Sequence, residues 1–162
     1  MLKTEMRNES TTYIDRASTK EMLQMINKAN FEAAAAVENA LPQIEKAVEA
    51  VTDAISKGGK LIYVGAGTSG RLSIADAAEC PPTFDVDYNT VIAIIAGGEK
   101  TLVRASENQE DYEYVGRADL LNKDLSEKDI VCGISASGGA AYVAGALKEA
   151  KEHGCKTISL IR

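Results

Sequence analysis

The 162-residue chain, with 45% apolar and 26% charged residues, has the length and composition of one soluble globular domain. Its net charge of −6 and its scattered basic residues argue against nucleic-acid binding, and no apolar run approaches the length of a membrane span. Three separated cysteines and one histidine indicate neither a disulfide framework nor a zinc site, so we expect a reduced, cytoplasmic protein.

The N-terminal third is predicted to be an irregular lead-in followed by helices. Residues 1–17 show little periodicity, whereas a capping box opens a helix that we expect over 18–30. Apolar residues at helical spacing predict a second helical region over 31–56, which Pro42 allows to break into two helices. We therefore expect residues 1–57 to be an arm and helices that pack on the rest of the chain or on a second copy of it.

The segment 61–71, LIYVGAGTSGR, predicts a buried strand that ends in a glycine-rich turn at the start of a helix. Glycines relieve backbone crowding in such a turn, and hydroxyls stand where the helix begins. The backbone N–H groups and the positive end of the helix dipole then point at one spot, which favours an anion. We interpret the turn as a phosphate cradle made of Gly65, Gly67, Thr68, Ser69, Gly70 and Arg71.

Two other interpretations of this turn are open. The spacing Gly65-x-Gly67-x-x-Gly70 also fits a dinucleotide fingerprint, but a nicotinamide cofactor needs an acidic residue at the end of the next strand. That strand ends in glycines, with Glu99 just beyond, and hydroxyl and guanidinium donors suit a terminal phosphate better than a pyrophosphate. The third interpretation is a turn that only lets the helix pack closely on the strand.

Alternating strands and helices after this turn predict a doubly wound parallel α/β sheet in three layers. A helix is expected over 71–78, ended by Pro81-Pro82 because the residue before a proline avoids the α region. The other predicted elements are strands over 91–97, 129–134 and 157–161 and helices over 99–105 and 140–152. The acidic residues within 107–113 indicate a solvated face. Residues 58–162 therefore form the predicted α/β domain.

A second hydroxyl-rich turn, SASGG at 135–139, again lies between a strand and a helix. Ser135, Ser137 and the N–H groups of Gly138 and Gly139 are placed to hold the far side of one phosphate. Capping of the helix by Ser137 is the simpler alternative. Two such turns at strand ends in one domain favour a phosphorylated small molecule as the ligand.

Six motifs are spread over most of the chain, from residue 14 to residue 138. They are IDR at 14–16, LIYVGAGTSGR at 61–71, DAAECPPT at 76–83, IAGGEK at 95–100, ENQED at 107–111 and VCGISASG at 131–138. Together they resemble the sugar isomerase (SIS) domain, a flavodoxin-like phosphosugar-binding fold, and within it the N-acetylmuramic acid 6-phosphate etherases. The combination of GAGTSGR with ECPPT is highly specific for that family.

This resemblance implies an enzyme that cleaves the D-lactyl ether of N-acetylmuramic acid 6-phosphate, giving N-acetylglucosamine 6-phosphate and D-lactate in the recycling of cell-wall sugars. It assigns the proton-donor role to Glu79 and a second acid/base role to Glu110, and it implies a homodimer that needs no metal and no cofactor. The residues expected to bind substrate or phosphate are Gly67, Thr68, Ser69, Gly70, Arg71, Ser135, Ser137 and Gly138. Two carboxylates suit the chemistry, because the C2 proton of the ring-opened sugar must be removed and the C3 ether oxygen must be protonated before it leaves.

Glu79 raises a question of geometry. If it ends the helix that follows the cradle, the negative end of the helix dipole raises its pKa, which suits an acid. A straight helix to Glu79 is, however, roughly 13 Å long, which is more than a hexose spans from its phosphate to C3. We therefore hypothesise that Glu79 either folds back through Pro81-Pro82 or serves the site of a neighbouring subunit.

Two features favour other functions. After Ser137-Gly138 the etherase pattern continues with Arg, Thr and Pro, where this chain has Gly139, Ala140 and Ala141, and the family extends beyond the length of this chain. A non-catalytic, regulatory phosphosugar-binding module is therefore the second hypothesis. A sugar-phosphate isomerase on the same fold is the third, although isomerase chemistry gives no reason for the ECPPT motif.

Overall fold

The structure, a computed structural model, describes residue 4, residues 6–106 and residues 108–161. Residues 1–3 and 5 of the predicted lead-in and Glu107 of the acidic run lie outside the described residues. The chain divides into two compact units, Met1–Val48 and Glu49–Arg162. The domain boundary that we expect after residue 57 stays a prediction.

The described part of the N-terminal unit includes the 3₁₀ turns Glu9–Thr11 and Ile14–Arg16, which precede helix α1, Thr19–Ser56. The predicted capping box is present: the Ser18 N–H donates to Glu21 Oε2 at 2.9 Å, and the Glu21 N–H donates to Ser18 Oγ at 3.4 Å. None of the helices in the described part of the chain combines the length and the hydropathy needed to cross a membrane.

The predicted end of a first helix near residue 30 is wrong, and so is the break that Pro42 allows, because α1 is one helix of 38 residues with Pro42 inside it. Pro42 has no N–H to donate to the carbonyl of Glu38, and a proline in a helix interior costs about 3 kcal/mol. The helix nevertheless continues, since alanine, leucine, glutamate and glutamine flank the proline on both sides and all favour helices.

Four parallel strands form one sheet in the order β2-β1-β3-β4, which confirms the predicted α/β fold. The strands are β1, Leu61–Gly65; β2, Val91–Ile95; β3, Ile130–Ser135; and β4, Lys156–Ile161. β2 is shorter than predicted because Gly97 and Gly98 turn the chain with φ angles of 82° and 68°. β4 is an edge strand: within the described residues it pairs only with β3, and Leu160 and Ile161 are 58% and 63% exposed.

Helices cover both faces of the sheet and produce the three predicted layers. They are α2, Gly67–Phe84; α3, Lys100–Val103; α4, Glu113–Leu121; and α5, Ala141–Glu152. One face packs against α4 and α5 through a core that contains Ile62, Val64, Val131, Leu120, Tyr142, Val143 and Ala146. The other face packs against the end of α1 through Leu61, Ile130, Cys132 and Ala54. α2 lies on this second face, because its Asp76 hydrogen-bonds with Tyr63, whose side chain points there.

α2 is longer than predicted at both ends. It begins at Gly67 rather than at residue 71, and it runs through Pro81 and Pro82 to Phe84. The expected stop before the prolines is wrong: the helix continues although each proline removes one i→i−4 hydrogen bond, and the φ that proline fixes lies near the helical value. The helix ends at Asp85, which has a left-handed φ of 54° and donates its N–H to the Pro81 carbonyl oxygen at 2.9 Å.

α4 is a helix that the sequence pattern does not reveal. Its first turn is acidic, and only Gly116 and Leu120 are fully buried, so its apolar side is narrow. Gly116 packs directly on the backbone of Tyr142 in α5. The parallel pairing of the strands was the available signal, since the crossover from β2 to β3 requires a covering element of this kind.

Candidate functional site

The two predicted turns follow neighbouring strands. β1 and β3 pair in parallel with Gly65 opposite Ile134, so their carboxyl ends stand side by side. From there α2 covers one face of the sheet and α5 covers the other. In a sheet of this strand order, the crevice opened by such a divergence is where ligands bind. The structure therefore brings the turns at residues 65–71 and 135–139 to one crevice.

The first turn leads into an N-terminus of α2 that no side chain caps. Ala66 precedes the helix, and Gly70 is the first residue whose N–H donates back, to the Ala66 carbonyl oxygen at 3.3 Å. The N–H groups of residues 67–69 are thus directed out of the helix at its positive end. Gly67 and Thr68 are exposed, so these donors are accessible to an anion.

The glycines of this turn have two different roles. A Cβ at Gly65 would lie 2.6 Å from Gly70 N, and a Cβ at Gly70 would lie 2.5 Å from Ile95 Cγ1. Gly67 instead has a φ of 55° and open space around it. Close packing of the helix on the strands therefore explains Gly65 and Gly70, and it coexists with the exposed N–H groups.

The second turn is stabilised by its own serines. Ser135 is buried, and its Oγ accepts the Gly138 N–H at 3.1 Å. Ser137 Oγ accepts the Gly139 N–H at 3.1 Å, so the serine hydroxyls take up the two N–H groups that we expected to face a phosphate. The capping alternative is wrong, because α5 starts after Ala140 without a side-chain cap. The two hydroxyl hydrogens are the donors that this turn offers to a ligand.

Arg71 is turned toward α3. Its Nε donates to the carbonyl oxygens of Thr101 at 2.9 Å and of Leu102 at 3.2 Å, and the side chain is half-buried. The sequence gives no sign of this contact, since the two segments lie about 30 residues apart. Arg71 thus joins the start of α2 to the segment that follows β2.

Glu110 lies at the same end of the sheet as the two turns. It belongs to the 3₁₀ turn Gln109–Asp111, which contacts α5. Gln109 also packs over the turn after β2, where a Cβ at Gly97 would lie 3.0 Å from Gln109 Cγ. Glu110 is exposed, so its carboxylate is accessible to solvent.

Glu79 is not brought to this crevice within the chain. It lies twelve residues after Gly67 in α2, which places it about 18 Å along the helix axis from the N-terminal donors. Its exposed position is in the helix interior, so the expected helix-end environment is wrong. The option that Glu79 folds back through Pro81-Pro82 is also wrong, because the helix continues through both prolines.

A hydrogen bond between Tyr63 of β1 and Asp76 holds α2 on the sheet close to Glu79. Burial, followed by the hydrogen bond and the charge of Asp76, raises the pKa of the Tyr63 hydroxyl well above its usual range. Tyr63 therefore stays protonated and donates to Asp76, three residues before Glu79 on the same helix. Asp76 lies within the motif DAAECPPT, but its role as a partner of β1 follows only from the structure.

Comparison with known proteins identifies the relatives of this chain. Its sequence matches the family model of the glucokinase regulatory protein N-terminal SIS domain over residues 43–151. N-acetylmuramic acid 6-phosphate etherase 1 of Bacillus licheniformis is 52% identical over 159 residues, which are 98% of this chain and 52% of that protein. The N-acetylmuramic acid 6-phosphate etherases of Caldanaerobacter subterraneus subsp. tengcongensis and Pasteurella multocida are 52% and 47% identical, over 97% and 98% of this chain and 51% and 53% of those proteins. The chain spans about half the length of the curated relatives it matches.

Solved structures agree on the fold. The phosphoheptose isomerase GmhA of Neisseria gonorrhoeae and a phosphoheptose isomerase of Francisella tularensis each match with a TM-score of 0.70 and 21% identity. The matches cover 89% and 90% of this chain and 75% and 76% of those chains. At this identity the likeness shows the fold alone. The chain therefore belongs to the SIS-domain family, and its sequence relatives within that family are the N-acetylmuramic acid 6-phosphate etherases.

Proposed function

We propose that the chain is a carbon–oxygen lyase of the N-acetylmuramic acid 6-phosphate etherase type. It cleaves the D-lactyl ether of the sugar phosphate and gives N-acetylglucosamine 6-phosphate and D-lactate in peptidoglycan recycling. The observation that supports this most is the crevice where the turns at residues 65–71 and 135–139 meet, because it gathers anion donors from two strands. The names of the curated relatives support the choice of sugar and the ether chemistry.

The sugar phosphate lies against the N-terminus of α2. The N–H groups of residues 67–69 and the helix dipole attract the phosphate, and hydroxyls from both turns donate to it. Arg71 adds a positive charge beside this helix end while its Nε remains bonded to α3. The residues proposed to bind the phosphosugar are Gly67, Thr68, Ser69, Gly70, Arg71, Ser135, Ser137 and Gly138.

The lactyl ether is removed by elimination and hydration. In the ring-opened aldehyde the carbonyl acidifies the C2 proton, and a carboxylate removes it while a carboxylic acid protonates the C3 ether oxygen. The C3–O bond breaks, lactate leaves, and water adds to the unsaturated aldehyde at C3. Glu79 is the proposed proton donor and Glu110 the second acid/base. A carboxylate on each side of the sugar C2–C3 bond satisfies the proton balance without a metal or a redox cofactor.

Glu79 reaches a crevice from a second copy of the chain in this proposal. The axial distance of about 18 Å within one chain separates it from the phosphate donors, which leaves the neighbouring-subunit hypothesis. The exposed apolar side chains favour a homodimer, because Leu72 on α2 is 67% exposed and Phe31 and Leu41 on α1 are 70% and 53% exposed. Two buried free cysteines, Cys132 and Cys155, fit a reducing cytoplasm as the location.

A phosphosugar-binding module without catalysis is the second candidate. One observation favours it: Ala140 precedes α5 without a capping side chain, at a position where the etherase pattern has a hydroxyl. The grip of the second turn on a phosphate is weaker without that donor. Such a module binds the sugar phosphate and releases no lactate.

The test is D-lactate release from N-acetylmuramic acid 6-phosphate by the wild-type chain and by Glu79→Gln. We expect the wild type to release lactate and Glu79→Gln to lose at least about 100-fold in rate, since a positioned acid contributes about 10²–10⁴-fold. Glu127→Gln, an exposed glutamate outside the crevice, is the matched control and keeps the wild-type rate.

A mixed dimer locates the acid. Chains with Glu79→Ala are combined with chains that have Thr68→Val and Ser69→Ala, so that each pure dimer lacks one function. Recovery of activity in the mixture supports a site shared between subunits. If the mixture stays inactive while both chains dimerise, the shared site is excluded, and thermal stabilisation by the sugar phosphate without any lactate supports the binding module.

A further inference from the structure

Arg71 contacts α3 through its guanidinium group. A single guanidinium nitrogen, Nε, lies within hydrogen-bond distance of two consecutive carbonyl oxygens, those of Thr101 and Leu102. α3 has only four residues, Lys100–Val103, so no N–H group within the helix donates to its last carbonyl oxygens. Arg71 therefore holds the end of a helix that is too short to be stable by itself.

Thr101 passes this constraint to the turn after β2. The Thr101 side chain is buried, and its Oγ1 lies 2.7 Å from the Gly98 carbonyl oxygen and 3.0 Å from the Ala96 carbonyl oxygen. The hydroxyl thus bridges the two sides of Gly97. Because a buried hydroxyl that leaves its acceptors costs free energy, the position of Thr101 fixes the path of this turn.

The segment that contains Glu110, residues 108–111, packs against Gly97 through Gln109. A Cβ at Gly97 would lie 2.5 Å from Thr101 Cγ2 on one side and 3.0 Å from Gln109 Cγ on the other. Gln109 is the residue before Glu110 and belongs to the same 3₁₀ turn. Contacts thus run without a gap from Arg71 through Thr101 and Gly97 to Gln109.

We propose that Arg71 is also a positioning residue for Glu110, acting through Thr101, Gly97 and Gln109, in addition to the charge that it adds beside the phosphate site. The inference rests on the proposed function for the importance of Glu110, but the positioning itself is a property of the ligand-free chain. The Arg71 side chain therefore links ligand binding at the N-terminus of α2 to the position of Glu110.

The test is the rigidity of the Glu110 segment without ligand. In ¹⁵N relaxation of the full chain, we expect the order parameters of residues 108–111 to fall from about 0.85 to below about 0.6 in Arg71→Met, while those of α5 stay unchanged. Arg104→Met is the matched control, because Arg104 is exposed and directly follows α3, and it leaves the segment rigid. Unchanged order parameters in Arg71→Met overturn the proposal.

A second variant separates positioning from phosphate binding. Arg71→Lys keeps the positive charge and lacks the Nε donor, so we expect it to leave the segment as mobile as Arg71→Met does. The thermal shift caused by inorganic phosphate should persist in Arg71→Lys, which keeps the charge, and decrease in Arg71→Met. If Arg71→Lys restores rigidity, or if the segment stays rigid in Arg71→Met while the phosphate shift decreases, Arg71 acts on the phosphate alone and the positioning role is excluded.

Kinetics add a readout that general loss of structure would not give. Where the wild type releases lactate, Arg71→Lys, which keeps the charge, should lower kcat with little change in KM, and Arg71→Lys combined with Glu110→Gln should lose no more than Glu110→Gln alone. Independent, multiplying losses would overturn the coupling. If no form releases lactate, the proposed function fails, while the relaxation result still decides the role of Arg71.

Discussion

Gly97 is the residue at which β2, α3 and the Glu110 segment meet, and the side chains around it explain why it is glycine. Its φ of 82° is left-handed, and Thr101 and Gln109 occupy the space that a Cβ would need. Gly98, the next residue, has a similar φ of 68° but open space. Substitutions at Gly97 and at Gly98 therefore distinguish the cost of a left-handed φ, which both share, from the cost of crowding, which only Gly97 has.

We predict that Gly97→Ala destabilises the chain by about 3 kcal/mol and Gly98→Ala by about 1 kcal/mol. A left-handed φ costs a non-glycine residue about 1–2 kcal/mol at either position, and crowding in a packed region adds about 1–3 kcal/mol at Gly97 alone. Urea unfolding of the two variants measures the difference. Equal losses would mean that Gln109 moves away at no cost, and that the contact with Gly97 does not hold the Glu110 segment.

At this scale the sequence predicts part of the site. The hydroxyls and glycines of both turns are recognisable because each turn is a local pattern between a strand and a helix. The partners of Arg71 and of Asp76 are not recognisable, because they lie in other elements and are set only when β1, β2 and α2 pack together. The place of Glu79 is missed for a related reason, since it depends on where α2 ends.

Helix ends are predicted least well from the sequence, and two of the errors involve proline. The rule that proline ends a helix holds on average, yet Pro42 lies inside α1 and Pro81 and Pro82 lie in the last turn of α2. Strands are predicted almost to the residue, because runs of apolar β-branched residues bounded by glycine leave little choice. α4 is missed because acidic residues narrow its apolar stripe.

Replacement of Pro42 by alanine should strengthen α1. Pro42 is exposed, so its removal leaves no cavity, and it restores the hydrogen bond to the Glu38 carbonyl with a gain of up to about 3 kcal/mol in helix stability. Circular dichroism and urea unfolding measure the increase. Ala33→Pro, at another exposed position of α1, is the reverse control and should lower both. A loss of helix content in Pro42→Ala would mean that the ring makes contacts worth more than the missing hydrogen bond.

Over the whole α/β unit, the parallel doubly wound sheet was predictable from the sequence, whereas the ion pairs between helices were not. A network of ion pairs joins α4 to α5: Arg117 bonds to Glu149 at 2.7 Å and to Glu152 at 2.9 Å, and Lys148 bonds to Glu113 at 2.7 Å. The hydrogen bond from Arg117 lowers the pKa of Glu152, and that from Lys148 lowers the pKa of Glu113. The acidic run expected to be only solvated thus contributes Glu113 to an interhelical contact.

These pairs make the stability of the unit dependent on pH. Since the folded-state pKa of both glutamates lies below the unfolded value of about 4.3, their contribution is present at neutral pH and is lost as the pH falls through the folded pKa. We predict that the urea midpoint decreases between pH 7 and pH 3, and that Arg117→Met decreases less over the same interval. Lys123→Met, which removes an exposed charge elsewhere, should keep the wild-type pH dependence. An identical decrease of the urea midpoint in Arg117→Met would show that the ion pairs of Arg117 do not cause the pH dependence.

The open side of β4 has a consequence for handling the chain. An edge strand with free backbone groups and two largely exposed apolar residues, Leu160 and Ile161, is a template on which a strand of another molecule can pair. Edge-to-edge pairing between molecules increases with protein concentration, so it hinders the growth of ordered crystals and the preparation of clear NMR samples. A charged residue at Leu160, which is 58% exposed, is therefore the first change to make for solubility.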